Sequence, residues 1–152
     1  MARLGVAVSG GTNPSEIVDC VKLAEFLGYE SAWVAEGHGG DQFAVLAACA
    51  AQTTRIKLGT SISSVFVRTA PTIAMAAGTI DELSDGRFIL GLGSSHKVQV
   101  EPEHGVPTPS RCPMCVTRSL LSGRSCVMVR CSMKARRSGL KILIYGFGPT
   151  AQ

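Results

Sequence analysis

The strongest constraint in this chain is an alternation. Short apolar runs of strand length are separated by longer stretches whose apolar residues recur at helical spacing. Residues 3–9 read as a buried strand, with Leu4, Val6 and Val8 alternating with small residues. Asn13, Pro14 and Glu16 then give a helix start: a capping residue, a proline in the first turn and an acid three residues after the cap. Ile17, Val18, Val21, Ala24 and Leu27 continue at helical spacing, and Gly28 closes the helix. Residues 31–35 read as a second strand. Asp41 caps a second helix with Val45, Leu46 and Cys49 on its stripe. Residues 55–60 are a third strand, 72–83 a third helix after Pro71, and 87–93 a fourth strand. The order is βαβαβαβ with short connections, the pattern of a parallel sheet covered by helices. Periodicity leaves a doubly wound sheet and a barrel both open.

Charge divides the chain in two. Residues 1–107 hold all 11 acids and 7 of the 15 Lys and Arg residues, a net of −4. Residues 108–152 hold the other 8 bases and no acid, a net of +8, together with four of the six cysteines. The overall basic balance therefore reports a compositional break and no nucleic-acid surface on the folded part. Aromatic residues make up only 5%, so the core is expected to be mostly aliphatic. No apolar run approaches the ~20 residues of a membrane span, and the opening residues lack a signal-peptide pattern. A cytoplasmic chain without membrane contact is expected. Cys20 and Cys49 sit in apolar helical contexts and read as small buried residues.

Three ordered strings carry a family resemblance: LAEFLGYESAWVAE at residues 23–36, TRIKLGTSI at 54–62 and DELSDGRFILGLG at 81–93. They resemble the first half of the luciferase-like monooxygenase superfamily, whose members use FMN or the deazaflavin F420. The resemblance implies an α/β fold of the (β/α)8 TIM-barrel family, here truncated to about the first four βα units. The site would lie at the C-terminal ends of the strands, and a complete barrel takes roughly 250 residues. It implies an oxidoreductase that passes a hydride between a flavin-type cofactor and a small organic substrate, with F420 favoured over FMN.

The candidate site residues follow the strands. The resemblance places a histidine after the second strand beside the ring, and here Glu36-Gly37-His38 stands there. Glu36 and His38 are the catalytic candidates, an imidazole being suited to proton movement near neutrality; a plain polar loop residue is the alternative for His38. Ser61 and Ile62 follow the third strand, where F420-binding relatives carry a non-prolyl cis peptide behind the ring. An ordinary strand end is the alternative there. Gly93 and Ser94 end the fourth strand: glycine admits a ring close to the backbone, and Ser94 and the following Ser95 can hydrogen-bond to it. The run from Gly91 to His96 is not a dinucleotide fingerprint, because the third glycine is missing and no helix clearly opens there. Arg68 and Arg87 read as solvated or helix-pairing, Trp33 as core, and Asp81, Glu82 and Asp85 as helix surface and turn. No metal site is expected in the folded part.

Residues 1–107 are thus expected to form the half-barrel, and residues 108–152 a non-homologous, largely disordered tail. A shifted reading frame from near Pro107 accounts for the break. Met has a single codon, so a one-base shift forces Val at Met114-Cys115, Gly at Met128-Val129 and Glu at Met133-Lys134, and all three suit the family's continuation. Only residues 140–145 have strand character, and they could dock on the sheet edge. Cys112 and Cys115, with Cys126 and Cys131 downstream, raise zinc or redox binding as an alternative. The basic stretch 118–141 raises nucleic-acid binding as another. The missing half-barrel points to impaired activity of this chain. A non-catalytic fragment that self-associates as a homo-oligomer, or binds a homologue, is the alternative from another class.

Overall fold

A computed structural model describes residues 4–9 and 11–107 in full, and the backbone of 127–130 and 141–144. Among the described residues, seven strands form one sheet. In chain order the elements are β1 (Gly5–Val8), α1 (Pro14–Phe26), β2 (Ser31–Val34), α2 (Gln42–Gln52), β3 (Lys57–Thr60), β4 (Ser63–Ser64), α3 (Ala70–Leu83), β5 (Phe88–Gly93), α4 (Lys97–His104), β6 (Val127–Arg130) and β7 (Lys141–Ile144). The strand order is β1-β2-β3-β5-β7-β6, with the short β4 also pairing β5. The four expected strands β1, β2, β3 and β5 are mutually parallel. The result is an α/β arrangement of about four βα units.

The core lies between the sheet and α1, α2 and α3. Ala32, Val34, Leu58, Phe88 and Leu90 point outward from the sheet. They meet Ile17 and Val21 of α1, Leu46 and Cys49 of α2, and Ala77 and Ile80 of α3. Strand alternation turns Trp33 to the other face, where its ring lies across Gly59. A Cβ on Gly59 would come within 2.5 Å of that ring. Trp33 is thus half-buried on the inner face of the sheet, where it was expected in the core.

Two polar clamps set the lower rim, at the N-terminal ends of the strands. The Glu25 carboxylate accepts the backbone N–H groups of Thr54, Arg55 and Ile56, tying the end of α1 to the entry of β3. Burial disfavours its charge, but those N–H donors outweigh burial and hold Glu25 below its ordinary value. Arg87 donates to the carbonyls of Ser84, Ile56, Ala50 and Thr53 and to the Thr53 hydroxyl. It is a structural staple, neither solvated nor helix-pairing.

The caps differ in how they are made. Asp41 caps α2 as expected, its carboxylate accepting the Ala44 N–H at 2.9 Å. Asn13 stands at the start of α1 with no side-chain hydrogen bond to it, so Pro14 carries that start. Asp81 is only 3% exposed, and the surface position expected for it is corrected: the α3 stripe that buries Ala77 and Ile80 takes Asp81 inward as well.

A helix does open after β5. α4 runs from Lys97 to His104 despite Pro102 inside it, and ends at Gly105 with φ 64°. This corrects the reading that no helix opens there. In the segment beyond Pro107, β7 adds to β5 in parallel, as expected for residues 140–145. β6 pairs antiparallel with β7, which the absence of a strand period in that stretch did not anticipate. The expectation of a largely disordered tail and the four-cysteine set otherwise fall outside the described residues.

Candidate functional site

Three strands end at one cleft. β2 runs out into Ala35 and Glu36, β3 into Ser61 and Ile62, and β5 into Gly93, Ser95 and His96, while α4 contributes Gln99. These eight residues line a cleft of about 370 Å³, within the ~300–1,000 Å³ range of small-molecule sites. The Ser61–Ile62 peptide is cis, at the position the resemblance indicated. The Ile62 side chain sits over Gly93: a Cβ on Gly93 would come within 2.8 Å of Ile62 Cγ1. Glycine therefore lets the end of β5 approach the Ile62 wall. Below it, the Thr60 hydroxyl accepts the Gly91 N–H at 2.7 Å and donates to the Gly91 carbonyl at 2.8 Å. That reciprocal pair locks β3 to β5 directly under the cleft.

Glu36 enters the lining with its carboxylate already engaged. Oε2 accepts the Ser64 N–H at 2.7 Å, and Oε1 accepts Arg68 Nε at 3.3 Å. Arg68 reaches on to Asp41 at 2.6 Å and lies over the Phe43 ring. Burial opposes the charge on both Arg68 and Asp41. Their mutual attraction, helped by Glu36 for Arg68 and by the Ala44 N–H for Asp41, overcomes it, so Arg68 is raised and Asp41 lowered from their ordinary values. Glu36 thus holds the β3–α3 connection and the cap of α2 in place. Both of its carboxylate oxygens are engaged in these bonds.

His38 stands apart. Its side chain is 74% exposed and meets Glu103 of α4 at 3.0 Å, outside the residues lining the cleft. The polar-loop alternative describes its position. Ser94 also lies outside the lining, its hydroxyl directed to the Ser95 carbonyl. Of the six candidates, the structure brings together Glu36, Ser61, Ile62 and Gly93. It adds Ala35, His96 and Gln99, which the sequence reading missed, and it takes Ser95 rather than Ser94 of the two serines read there. His96 and Gln99 are three apart at the start of α4, a spacing that puts both on one face once a helix is recognised there. Ser95 adopts φ 57°, which turns the chain from β5 into α4. Among the described residues, no three His, Cys, Asp or Glu side chains gather to hold a metal ion.

The model of one family, luciferase-like monooxygenase, matches residues 1–115. The chain belongs to this luciferase-like family. The match runs past Pro107, into the segment expected to be foreign. A Mycobacterium tuberculosis protein provisionally named a coenzyme F420-dependent oxidoreductase is 38% identical over 121 residues, 78% of this chain and 34% of that protein. The 5,10-methylenetetrahydromethanopterin reductase of Methanopyrus kandleri is 31% identical over 111 residues, 72% of this chain and 32% of the reductase. The structure of the coenzyme F420-dependent tetrahydromethanopterin reductase from that organism superposes with a TM-score of 0.66 at 30% identity, over 74% of this chain and 32% of the reductase. The oxygenating constituent of 3,6-diketocamphane monooxygenase from Pseudomonas putida, in complex with FMN, shares the fold with a TM-score of 0.66. It is 18% identical, over 92% of this chain and 44% of its own. The chain spans about a third of the length of the curated relatives it matches. Among the described residues, no helix is long and apolar enough to cross a membrane.

Proposed function

We propose that the cleft is the ring-binding part of an oxidoreductase site for a flavin-type cofactor, F420 in preference to FMN. The observation that carries this is the wall of Ile62 closed on Gly93, in a cleft that Ala35 and several polar side chains also line. A flat heteroaromatic ring needs an apolar face to lie against and hydrogen-bonding groups at its edge. Ile62, Gly93 and Ala35 supply the face, and Ser61, Ser95, His96 and Gln99 supply the edge. The preference for F420 rests on the names of the relatives more than 30% identical.

When bound, such a cofactor supplies a two-electron carrier that exchanges a hydride with a small organic substrate. The residues of this chain orient the ring and keep water from its covered face. His96 replaces His38 as the histidine placed to take up or release a proton beside it, because only His96 lines the cleft. Glu36 acts through Ser64 and Arg68 to hold the wall. Only a third of the relatives' length is represented, so this chain would bind weakly and turn over little or no substrate. A frame restored from near Pro107 in a longer chain would recover tight binding.

The test is a spectroscopic titration of F420, and separately FMN, into the wild-type chain and into Gly93→Val. The wild type is expected to bind weakly and the variant not at all, because the added side chain collides with Ile62 and fills the cleft. Equal binding by both proteins would refute the assignment of the cleft.

A further inference from the structure

Gln42 is the first residue of α2, a position that normally faces water, yet it is 1% exposed. Its Nε2 donates to the Val34 carbonyl at 2.6 Å and to the Ile62 carbonyl at 3.3 Å. The Val34 carbonyl also accepts the Ser61 N–H at 2.8 Å. One amide therefore joins the last residue of β2 to Ile62 of the cleft wall, at the same Val34 carbonyl that holds the Ser61 N–H. Two carbonyls facing the same end fix which end of the amide is nitrogen. Oε1 is buried with no hydrogen-bond partner among the described residues. A buried polar group left half satisfied is a poor stability device, since an apolar side chain of the same shape would serve as well or better. Its directional bonds are what an apolar residue could not reproduce.

We propose that Gln42 is a positioning residue of the cleft. It pins the Ile62 carbonyl against the end of β2. The Ile62 side chain is thereby held over Gly93 before any ligand arrives. The geometry stands by itself, and its consequence for binding rests on the cofactor reading above. Neither the caps of α2 nor the Glu36–Arg68–Asp41 chain performs this task, because none of them is bonded to Ile62.

The experiment uses the 152-residue chain carrying Gln42→Met or Gln42→Glu, with two readouts. The first is hydrogen exchange of the Ser61 amide, which needs no cofactor. The Leu58 amide, bonded to the Arg87 carbonyl, serves as the internal control for folding. The second is F420 affinity by titration. Met keeps the length of Gln and removes both donors. Roughly tenfold faster Ser61 exchange is expected, the factor of about one net hydrogen bond, with Leu58 unchanged and F420 affinity falling by a similar factor. Glu offers one donor when protonated and none when ionised. Gln42→Glu should therefore bind almost as wild type at low pH and lose affinity as pH rises, relative to wild type at each pH; a purely packing role would not give that profile. Unchanged Ser61 exchange in Gln42→Met overturns the proposal, as does faster exchange with unchanged affinity. A wild type that binds no F420 would sink the cofactor reading instead, and Ser61 exchange would still decide whether Gln42 fixes the wall.

Discussion

Arg87→Ala should be among the most damaging single substitutions in this chain, although Arg87 touches no part of the cleft. The guanidinium makes five hydrogen bonds, four of them to main-chain carbonyls from α2, the approach to β3 and the end of α3. A hydrogen bond to a charged group is worth about 1.5–3 kcal/mol. Five such bonds from one half-buried group do not add, and water would reach some of the freed carbonyls. The expected net loss is about 3 kcal/mol, within the range of a broken buried network. For a folded unit of this size that corresponds to a fall in Tm on the order of 15 °C. Arg87→Lys keeps the charge but has no planar fork to reach five acceptors, and should lose roughly half as much. Urea unfolding followed by circular dichroism is the assay, and the midpoint should fall without a change in slope. If Arg87→Ala lies within about 1 kcal/mol of wild type, the staple contributes nothing beyond an ordinary surface arginine and the reasoning is wrong.

Two further outcomes follow from the same structure. Glu25 is held below its ordinary value of 4.5 in the folded state, so its contribution is fully present above that value and is lost as pH falls through the folded one. Glu25→Gln should accordingly lower stability by about 1–2 kcal/mol at pH 7 and flatten the acid limb of a stability–pH curve; a limb as steep as wild type would contradict this. Burial pushes the Cys49 thiol up to about 11, while Cys20, expected to be buried like Cys49, is exposed. Peptide mapping after brief alkylation at pH 8 should find Cys20 modified and Cys49 intact until the chain is unfolded, and early labelling of Cys49 would mean that its core opens.

The alternation of apolar strands and amphipathic helices made four strands and three helices legible, because burial on one face leaves a period in the sequence. The wall residues were legible for a different reason. Ile62 stands just past the end of β3 and Gly93 is the last residue of β5, so locating the strand locates the residue. α4 escaped because Pro102 interrupts it and only Val100 among its residues is buried, leaving no apolar stripe to read. With α4 unseen, His96 and Gln99 were unseen as well. Glu36 and His38 were read from adjacency to β2, but adjacency does not give direction: one side chain turns to Ser64 and Arg68, the other to Glu103. Asp81 was read as surface because polar side chains usually are, and Gln42 gave no signal in the sequence for the same reason; both are buried. The two carbonyls that face Gln42 account for its burial.

The most direct test of the account is a residue-resolved NMR titration of the 152-residue chain with F420, which registers weak binding that turnover would miss. The account predicts amide shift changes concentrated at Ala35, Glu36, Ser61, Ile62, Gly93, Ser95, His96 and Gln99, with Leu4, Leu23 and the helix faces of α1 unmoved. Saturating F420 that leaves those eight amides unchanged, or moves residues at the N-terminal ends of the strands instead, would contradict it.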